Sequence, residues 1–210
     1  PMNRGGNDMN EEIAKKAEQA VWAAKSLFER GKTAGSTANL SFRHEGCIYI
    51  SGSGTCFGTL KSEDFAVMDM DGNHVGGPAP SKEYPLHRLL YEKKDVGAVI
   101  HVHSFYATLW SCLKHPDEAD VIPGYTPYLK MKTGRIGLVP YAPPGSRELF
   151  QAFEEHIGRS EGYLLQNHGP IIGASDILSA FYSIEELEES ARIAWHLRHE
   201  PKDTVNVILG

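Results

Sequence analysis

Two histidines separated by one apolar residue, His101 and His103, close the run Val99-Ile100-His101-Val102-His103-Ser104. Side chains on a strand alternate faces, so residues i and i+2 leave the same face and two imidazoles emerge together as a chelating pair. A His-x-His pair alone specifies little. Three further features give it weight: a third histidine in Gln166-Asn167-His168-Gly169-Pro170, a carboxylate in Pro80-Ser81-Lys82-Glu83, and loops rich in Gly, Ser and Thr that suit an anion. Neutral imidazoles suit zinc, and three protein ligands that leave one position open make a catalytic site rather than a structural one.

The two loops are Gly35-Ser36-Thr37-Ala38-Asn39 and Ser51-Gly52-Ser53-Gly54-Thr55. Small residues let several backbone N–H groups converge on an anion, while hydroxyls add donors. Neither loop is a Walker or dinucleotide motif, because the glycine spacing and the terminal Lys are missing. Singly, each reads as a linker; two of them before one histidine cluster indicate a phosphate site. Lys82 is either a cation for an anionic substrate group or a surface lysine beside a helix start. Tyr125 or Tyr128 either donates a proton across a subunit interface or packs. His87 falls four residues after Glu83, on the same helical face, and either steadies a ligand or packs. His44, His74, His115, His156, His196 and His199 lie in polar or terminal surroundings and are expected to face solvent.

The elements that must position these groups follow from periodicity. Apolar residues at Ile13, Ala17, Ala20, Val21, Ala24, Leu27 and Phe28 predict an amphipathic helix over 10–30, with Asn10 as cap and Gly31 as stop. Residues 40–43 and 47–50 read as a hairpin around Glu45-Gly46. A short strand over 65–70 precedes the tight turn Asp71-Gly72-Asn73. A helix over 82–93 follows, with Ser81 as cap and Pro85 in its first turn, which puts Glu83 near a helix N-terminus. The metal-bearing strand covers 97–103, a helix 105–113, a Pro- and aromatic-containing connection 116–128, a strand 138–141 and a helix 146–156. Strands at 162–166 and 171–173 flank Asn167-His168-Gly169-Pro170. A long helix over 176–198 carries Ile184, Leu187, Ala191, Ala194 and Trp195 on one face, with Glu185, Glu186, Glu188 and Glu189 as a solvated face. The strands bury their faces between helices, which makes an α/β layered domain.

At 210 residues the chain supports one domain, expected over 10–210 behind a flexible end at 1–9. The net charge of −6 argues against nucleic acid as a partner. No apolar run approaches the roughly 18 residues of a membrane span, and the polar N-terminus lacks a signal-peptide core, so a cytoplasmic location is expected. Cys47, Cys56 and Cys112 form no CxxC and are expected as small buried hydrophobes. The C-terminal 201–210 segment, with Val205, Val207, Ile208 and Leu209, either docks or frays.

From Ala14 to His199 the chain resembles the class II (zinc-dependent) aldolase/adducin family. The pieces that carry the likeness are Gly35 to Ser41, Ser51 to Gly54, Pro80-Ser81-Lys82-Glu83, His101-Val102-His103, Tyr141 to Glu148 and Asn167-His168-Gly169, in the family's order. The resemblance implies a three-layer α/β/α fold with a central mixed, mostly antiparallel sheet. It implies a homotetramer with active sites at subunit interfaces, and zinc or another divalent metal held by His101, His103 and His168. By motif position Glu83 is the acid/base that also approaches the metal, Asn39, Ser51, Gly52 and Ser81 belong to the phosphate site, and Tyr128 is a candidate catalytic residue. Ala38 stands where many members have Gly. Lys82 stands where sugar-phosphate aldolases often have a second Ser, which weakens the case for aldolase activity.

Within the family, Pro80 to Glu83, Thr126-Pro127-Tyr128, Leu138-Val139-Pro140-Tyr141 and Glu185 to Glu189 are most similar to the 3-oxo-tetronate 4-phosphate decarboxylases. The implied reaction is a carbohydrate-metabolism lyase step that releases CO2 and dihydroxyacetone phosphate through a metal-held enediolate. The alternatives are an L-fuculose-1-phosphate type aldolase or an L-ribulose-5-phosphate 4-epimerase and, more remotely, a methylthio-sugar phosphate dehydratase or an adducin-like interaction domain without catalysis.

Overall fold

The computed structural model describes residues 4–208. Its chain order is α1 (Arg4–Glu29), β1 (Asn39–His44), β2 (Cys47–Ser51), β3 (Phe65–Asp69), β4 (His74–Gly76), α2 (Tyr84–Lys93), β5 (Ala98–His101) and α3 (Phe105–Ser111). It continues through α4 (Tyr128–Lys132), β6 (Ile136–Val139), α5 (Arg147–His156), β7 (Gly162–Leu165), β8 (Gly169–Ala174) and α6 (Ile177–Leu197). The strands form one sheet in the order β4-β3-β2-β1-β5-β8-β7-β6. The β6–β7 pair, whose strands α5 connects, is parallel, and every other pair is antiparallel.

Alternation along the strands divides the core in two. Leu40, Phe42, Ala98, Ile100, Leu164 and Ile172 pack with residues of α1, α3, α4 and α6. Ile48, Ile50, Val99, Val139, Tyr163 and Ile171 point the other way, toward α2 and α5. Two helical layers therefore enclose the sheet, as the family resemblance implied. The Glu45-Gly46 turn has φ of 41° and 78°, the doubly positive pair that matches a two-residue hairpin to the twist of its strands.

Several local expectations change. Helix α1 already runs at Arg4, so Asn10 lies inside it; Gly5 and Gly6 cost helix stability, at about 1 kcal/mol each, but keep the N–H groups a ladder needs. Of the expected flexible end, residues 1–3 lie outside the described residues and 4–9 belong to α1. Helix α2 starts at Tyr84, with Glu83 in its N-cap position, while Ser81 Oγ accepts from the Glu83 N–H at 3.3 Å. Strand β4 and helix α4 are additions: one is three residues long, the other five, and elements that short are made by their neighbours. His44 is 7% exposed, not solvent-facing, and its Nδ1 lies 3.3 Å from Lys16 Nζ. Cys112 is exposed and Cys47 and Cys56 are half-buried. Glu188 leaves the solvated face altogether: it is 3% exposed and its two oxygens accept from the N–H groups of Tyr106 and Ala107 at 2.9 Å each.

The C-terminal segment turns back on the 116–127 connection, where the Ile208 N–H donates to Gly124 O at 2.6 Å. Leu209 and Gly210 lie outside the described residues. Among the described residues no helix is long and apolar enough to cross a membrane.

Candidate functional site

Strand β5 delivers His101 at its last residue. Across the β1–β5 pairing His101 stands opposite Asn39, so these two side chains leave the same face of the sheet, on the side of α2. His103 lies two residues beyond the strand, in the turn that leads into α3, and its ring still meets His101 with centroids 4.9 Å apart. His168 arrives from the β7–β8 hairpin. There Asn167 has φ 56° and Gly169 φ 155°, and a Cβ on Gly169 would stand 2.4 Å from Val102 O. Only glycine lets the hairpin close against the 102–103 segment and bring the third imidazole in.

The three Nε2 atoms converge. His101 Nε2 is 3.2 Å from His168 Nε2 and 3.2 Å from His103 Nε2. Two ligands, each about 2.0–2.1 Å from one tetrahedral ion, stand roughly 3.3 Å apart. His101 Nδ1 is 2.8 Å from Pro170 O; a carbonyl only accepts, so Nδ1 carries the proton and Nε2 presents its lone pair. His103 Nδ1 is held at 2.9 Å by Thr37 Oγ1. Glu83 closes the group, with Oε2 3.2 Å from His101 Nε2 and Oε1 3.3 Å from His168 Nε2. Glu83 Oε1 and His168 Nδ1 are buried without hydrogen-bond partners. Three imidazoles facing one point beside an unsatisfied carboxylate oxygen fit a divalent cation.

The electrostatics agree with that donor set. Burial, then the charge of His101 and of His168, push the His103 ring down to about 3; burial and His101 push His168 down to about 4. Both rings are neutral near pH 7 and free to ligate. For Glu83, burial pushes the carboxyl up, but with no cation bound, positive charge at His101 and then at His168, with the Asn39 hydrogen bond, outweighs it and holds the group well below the ordinary carboxylate range; in the loaded enzyme a cation on the Nε2 lone pairs would supply that positive charge.

These groups open onto a cleft of about 580 Å³ lined by the 36–39 and 52–54 loops, Ser81, Lys82, Tyr141 and the 144–145 turn. Asn39, Gly52, Ser81, Lys82 and Glu83 all line this cleft. Ser51 does not: it is 0% exposed and its Oγ accepts from the Leu40 N–H at 3.1 Å, a bond that fastens β2 to β1. The expected convergence of backbone N–H groups also fails in part. The N–H groups of Gly52 and Ser53 bond to Asp64 O and Ala79 O at 2.8 Å each, and the Ser36, Ser53 and Ser81 hydroxyls and the Lys82 ammonium stand on the cleft as side-chain anion donors. Tyr128, 57% exposed on α4, does not line the cleft of its own chain. Tyr125 is half-buried and packs against the core cluster that holds Trp110.

A sequence model described as the class II aldolase and adducin N-terminal domain matches residues 18–195. The chain belongs to this family. Curated relatives named 3-oxo-tetronate 4-phosphate decarboxylase from Haemophilus influenzae and Escherichia coli are 37% and 36% identical, over 86% and 88% of this chain and 87% and 88% of theirs. A protein named L-fuculose phosphate aldolase from Methanocaldococcus jannaschii is 34% identical over 84% of this chain and 93% of its own. The crystal structure of YgbL from Klebsiella pneumoniae superposes with a TM-score of 0.88 at 34% identity, covering 94% of this chain and 95% of that one. The class II aldolases are metal-dependent, and this chain is an enzyme of their kind, with the three-histidine group in place.

In this class II aldolase domain the cleft holds groups that sequence reasoning did not single out. Thr37 was read only as a loop hydroxyl, and it orients His103. Tyr141, 57% exposed, and Asn167 line the rim; the positive φ of Asn167 is the kind of signal a sequence hides. His87 turns out to be fully buried, 2.5 Å from Asn39 Oδ1.

Proposed function

We propose that this enzyme is a lyase that decarboxylates a 3-oxo-tetronate 4-phosphate to dihydroxyacetone phosphate and CO2, with zinc as its metal. The observation that carries the reading is Glu83, an ionised carboxylate at 3.2 and 3.3 Å from two of the converging Nε2 atoms, with Lys82 on the rim of the same cleft. The names of the relatives support the substrate. Held by His101, His103 and His168, a divalent cation would polarise the hydroxy-ketone and offset developing negative charge.

The chain's own groups do the rest. Lys82 with the Ser53 and Ser81 hydroxyls binds the anionic ends of a four-carbon phosphorylated acid. The C1–C2 bond breaks, CO2 leaves, and its electron pair stays on C2 as the enediolate form of the product. That carbon must then gain a proton. Glu83, ionised at rest, takes up a proton from solvent and delivers it to C2. In the same reading the enzyme is a cytoplasmic homotetramer, and Tyr128 reaches a neighbour's cleft.

A second reading is favoured by the 34% identity to a protein named L-fuculose phosphate aldolase: the same residues would serve retro-aldol cleavage, with an aldehyde leaving in place of CO2. The deciding assay measures CO2 release from both epimers of 3-oxo-tetronate 4-phosphate, with and without chelator, beside His101→Ala. Chelator-sensitive release that the variant loses supports decarboxylation. Silence from both epimers, with aldehyde released from L-fuculose 1-phosphate, replaces it with the aldolase reading.

A further inference from the structure

Behind Glu83, on the side of the sheet that meets α2, the buried polar groups form one unbranched chain. Tyr91 Oη is 2.8 Å from Ser41 Oγ, and Ser41 Oγ is 2.7 Å from His87 Nδ1. His87 Nε2 is 2.5 Å from Asn39 Oδ1, and Asn39 Nδ2 donates to Glu83 Oε2 at 3.1 Å. Ser41 and His87 are 0% exposed, Asn39 2% and Tyr91 4%. A partner lost here is not replaced by bulk water.

The last link sets the direction of all the others. The amide nitrogen of Asn39 faces Glu83 Oε2, which accepts, and its carbonyl faces His87. That carbonyl also only accepts, so His87 carries its proton on Nε2. Its Nδ1 is then an acceptor and takes the Ser41 hydroxyl proton, and Ser41 Oγ accepts from Tyr91. Every donor points toward Glu83, and bonds aligned this way polarise one another in a low-dielectric interior.

We propose that His87 is a positioning residue for Glu83, acting through Asn39: the His87 Nε2–H holds the Asn39 amide so that its NH2 faces the carboxylate. Without that donor the amide is free to turn its carbonyl toward Glu83, and two acceptors would then face each other. Asn39 thereby joins the proton-handling group. The inference rests on the reading of Glu83 as the residue that moves the proton.

The test compares metal-loaded wild type with His87→Phe, which fills the space without a donor, and His87→Gln, which offers an amide N–H near the former Nε2. In His87→Phe we expect kcat for CO2 release to fall roughly 10–100-fold, with KM and bound metal unchanged, and in His87→Gln most of kcat to return. Nitrogen NMR on the same samples should show His87 as the Nε2–H tautomer in wild type. An exchange-protected Asn39 side-chain amide proton should be present in wild type and His87→Gln and absent in His87→Phe. Full kcat in a folded, metal-loaded His87→Phe overturns the proposal. So does an unchanged Asn39 amide signal in that variant, and so does a raised KM at constant kcat, which would keep Asn39 with the phosphate. Should His87→Phe fail to fold, the wild-type spectrum decides: the Nε2–H tautomer of His87 is expected, and an Nδ1–H tautomer, which leaves nothing to donate to Asn39 Oδ1, overturns the proposal. A wild type that releases no CO2 refutes the proposed function alone, and the NMR comparison still decides the role of His87.

Discussion

His103 shows how much a single supporting contact carries. Its Nδ1 is fixed at 2.9 Å by Thr37 Oγ1, whereas His101 is fixed by a backbone carbonyl that no substitution removes. Loss of such a partner costs roughly 10–100-fold in metal affinity or activity. Thr37→Val should therefore weaken zinc binding by that factor while Thr37→Ser preserves it, as measured by competition with a chromophoric chelator. His87 carries a second consequence. Burial, then the charge of His101, push its ring down to about 3, against Glu83, which pushes it up. The ring is neutral in the folded chain, and the unfolded ring takes a proton below about 6.5. The unfolded state thus binds more protons across that window, and stability falls as pH falls from 6.5 toward 3. Each pH unit costs about 1.4 kcal/mol, or about 2 kcal/mol by pH 5. His103 and His168, also pushed down, add shares of the same sign, so urea unfolding at pH 7 and pH 5 checks this by comparison: His87→Gln should shrink the difference by about 2 kcal/mol.

At the scale of elements, the turn between β5 and α3 is held from both ends. His101 is the last residue of the strand, and the first turn of α3 is held by Glu188 from the middle of α6, at 2.9 Å to Tyr106 N and Ala107 N. The N-terminal N–H groups of a helix have no partner within it, and Ser104, in the N-cap position, makes no side-chain cap bond. Glu188→Ala should cost about 2–4 kcal/mol, since it leaves one buried and one half-buried donor unpaired, and Glu188→Gln less. Denaturant midpoints measure the cost, and a lowered metal content in Glu188→Ala would show that the cap also holds His103. The caps of α5 and α6 were readable from local chemistry: Ser146 Oγ accepts from Leu149 N and Asp176 Oδ1 from Ser179 N, at 3.2 and 2.8 Å. The role of Glu188 was not readable, because its partners lie some 80 positions away and it sits in a run of five residues that holds three other glutamates.

For the whole molecule, the centre joins segments from four parts of the chain: 37–39, 83–87, 101–103 and 168. A cation bound only by the folded state stabilises it by about 2.7 kcal/mol at a free concentration one hundred times Kd. For a chain of this size that is about 5–10 °C in Tm. Zinc should raise Tm by that much, chelator should reverse it, and His101→Ala should abolish the response in a thermal scan. Phe105 and Met131 are 64% and 77% exposed, beside Tyr128 at 57%. Such side chains suit burial between copies. Light scattering should give four times the 23.2 kDa of one chain; a monomer would remove Tyr128 from any neighbour's site.

The three histidines that converge, and the family, were legible in the sequence itself. Imidazole and carboxylate chemistry belongs to the residue, and His-x-His spacing is fixed by strand geometry. The layered fold followed from periodicities of two and 3.6, which depend on nothing beyond a few neighbours. The tertiary structure alone decided which polar groups face one another. Ser51 and Ser53 are the same residue type two positions apart, and packing turned one into a strand fastener and left the other on the cleft. Glu188 differs from Glu189 only in which way α6 is rotated against α3. Ser41 and Tyr91 are unremarkable in sequence, and with His87 and Asn39 they form one directed chain because β1 and α2 meet at that place. A hydrogen bond reports the distance and angle between two groups in space, and sequence separation carries neither.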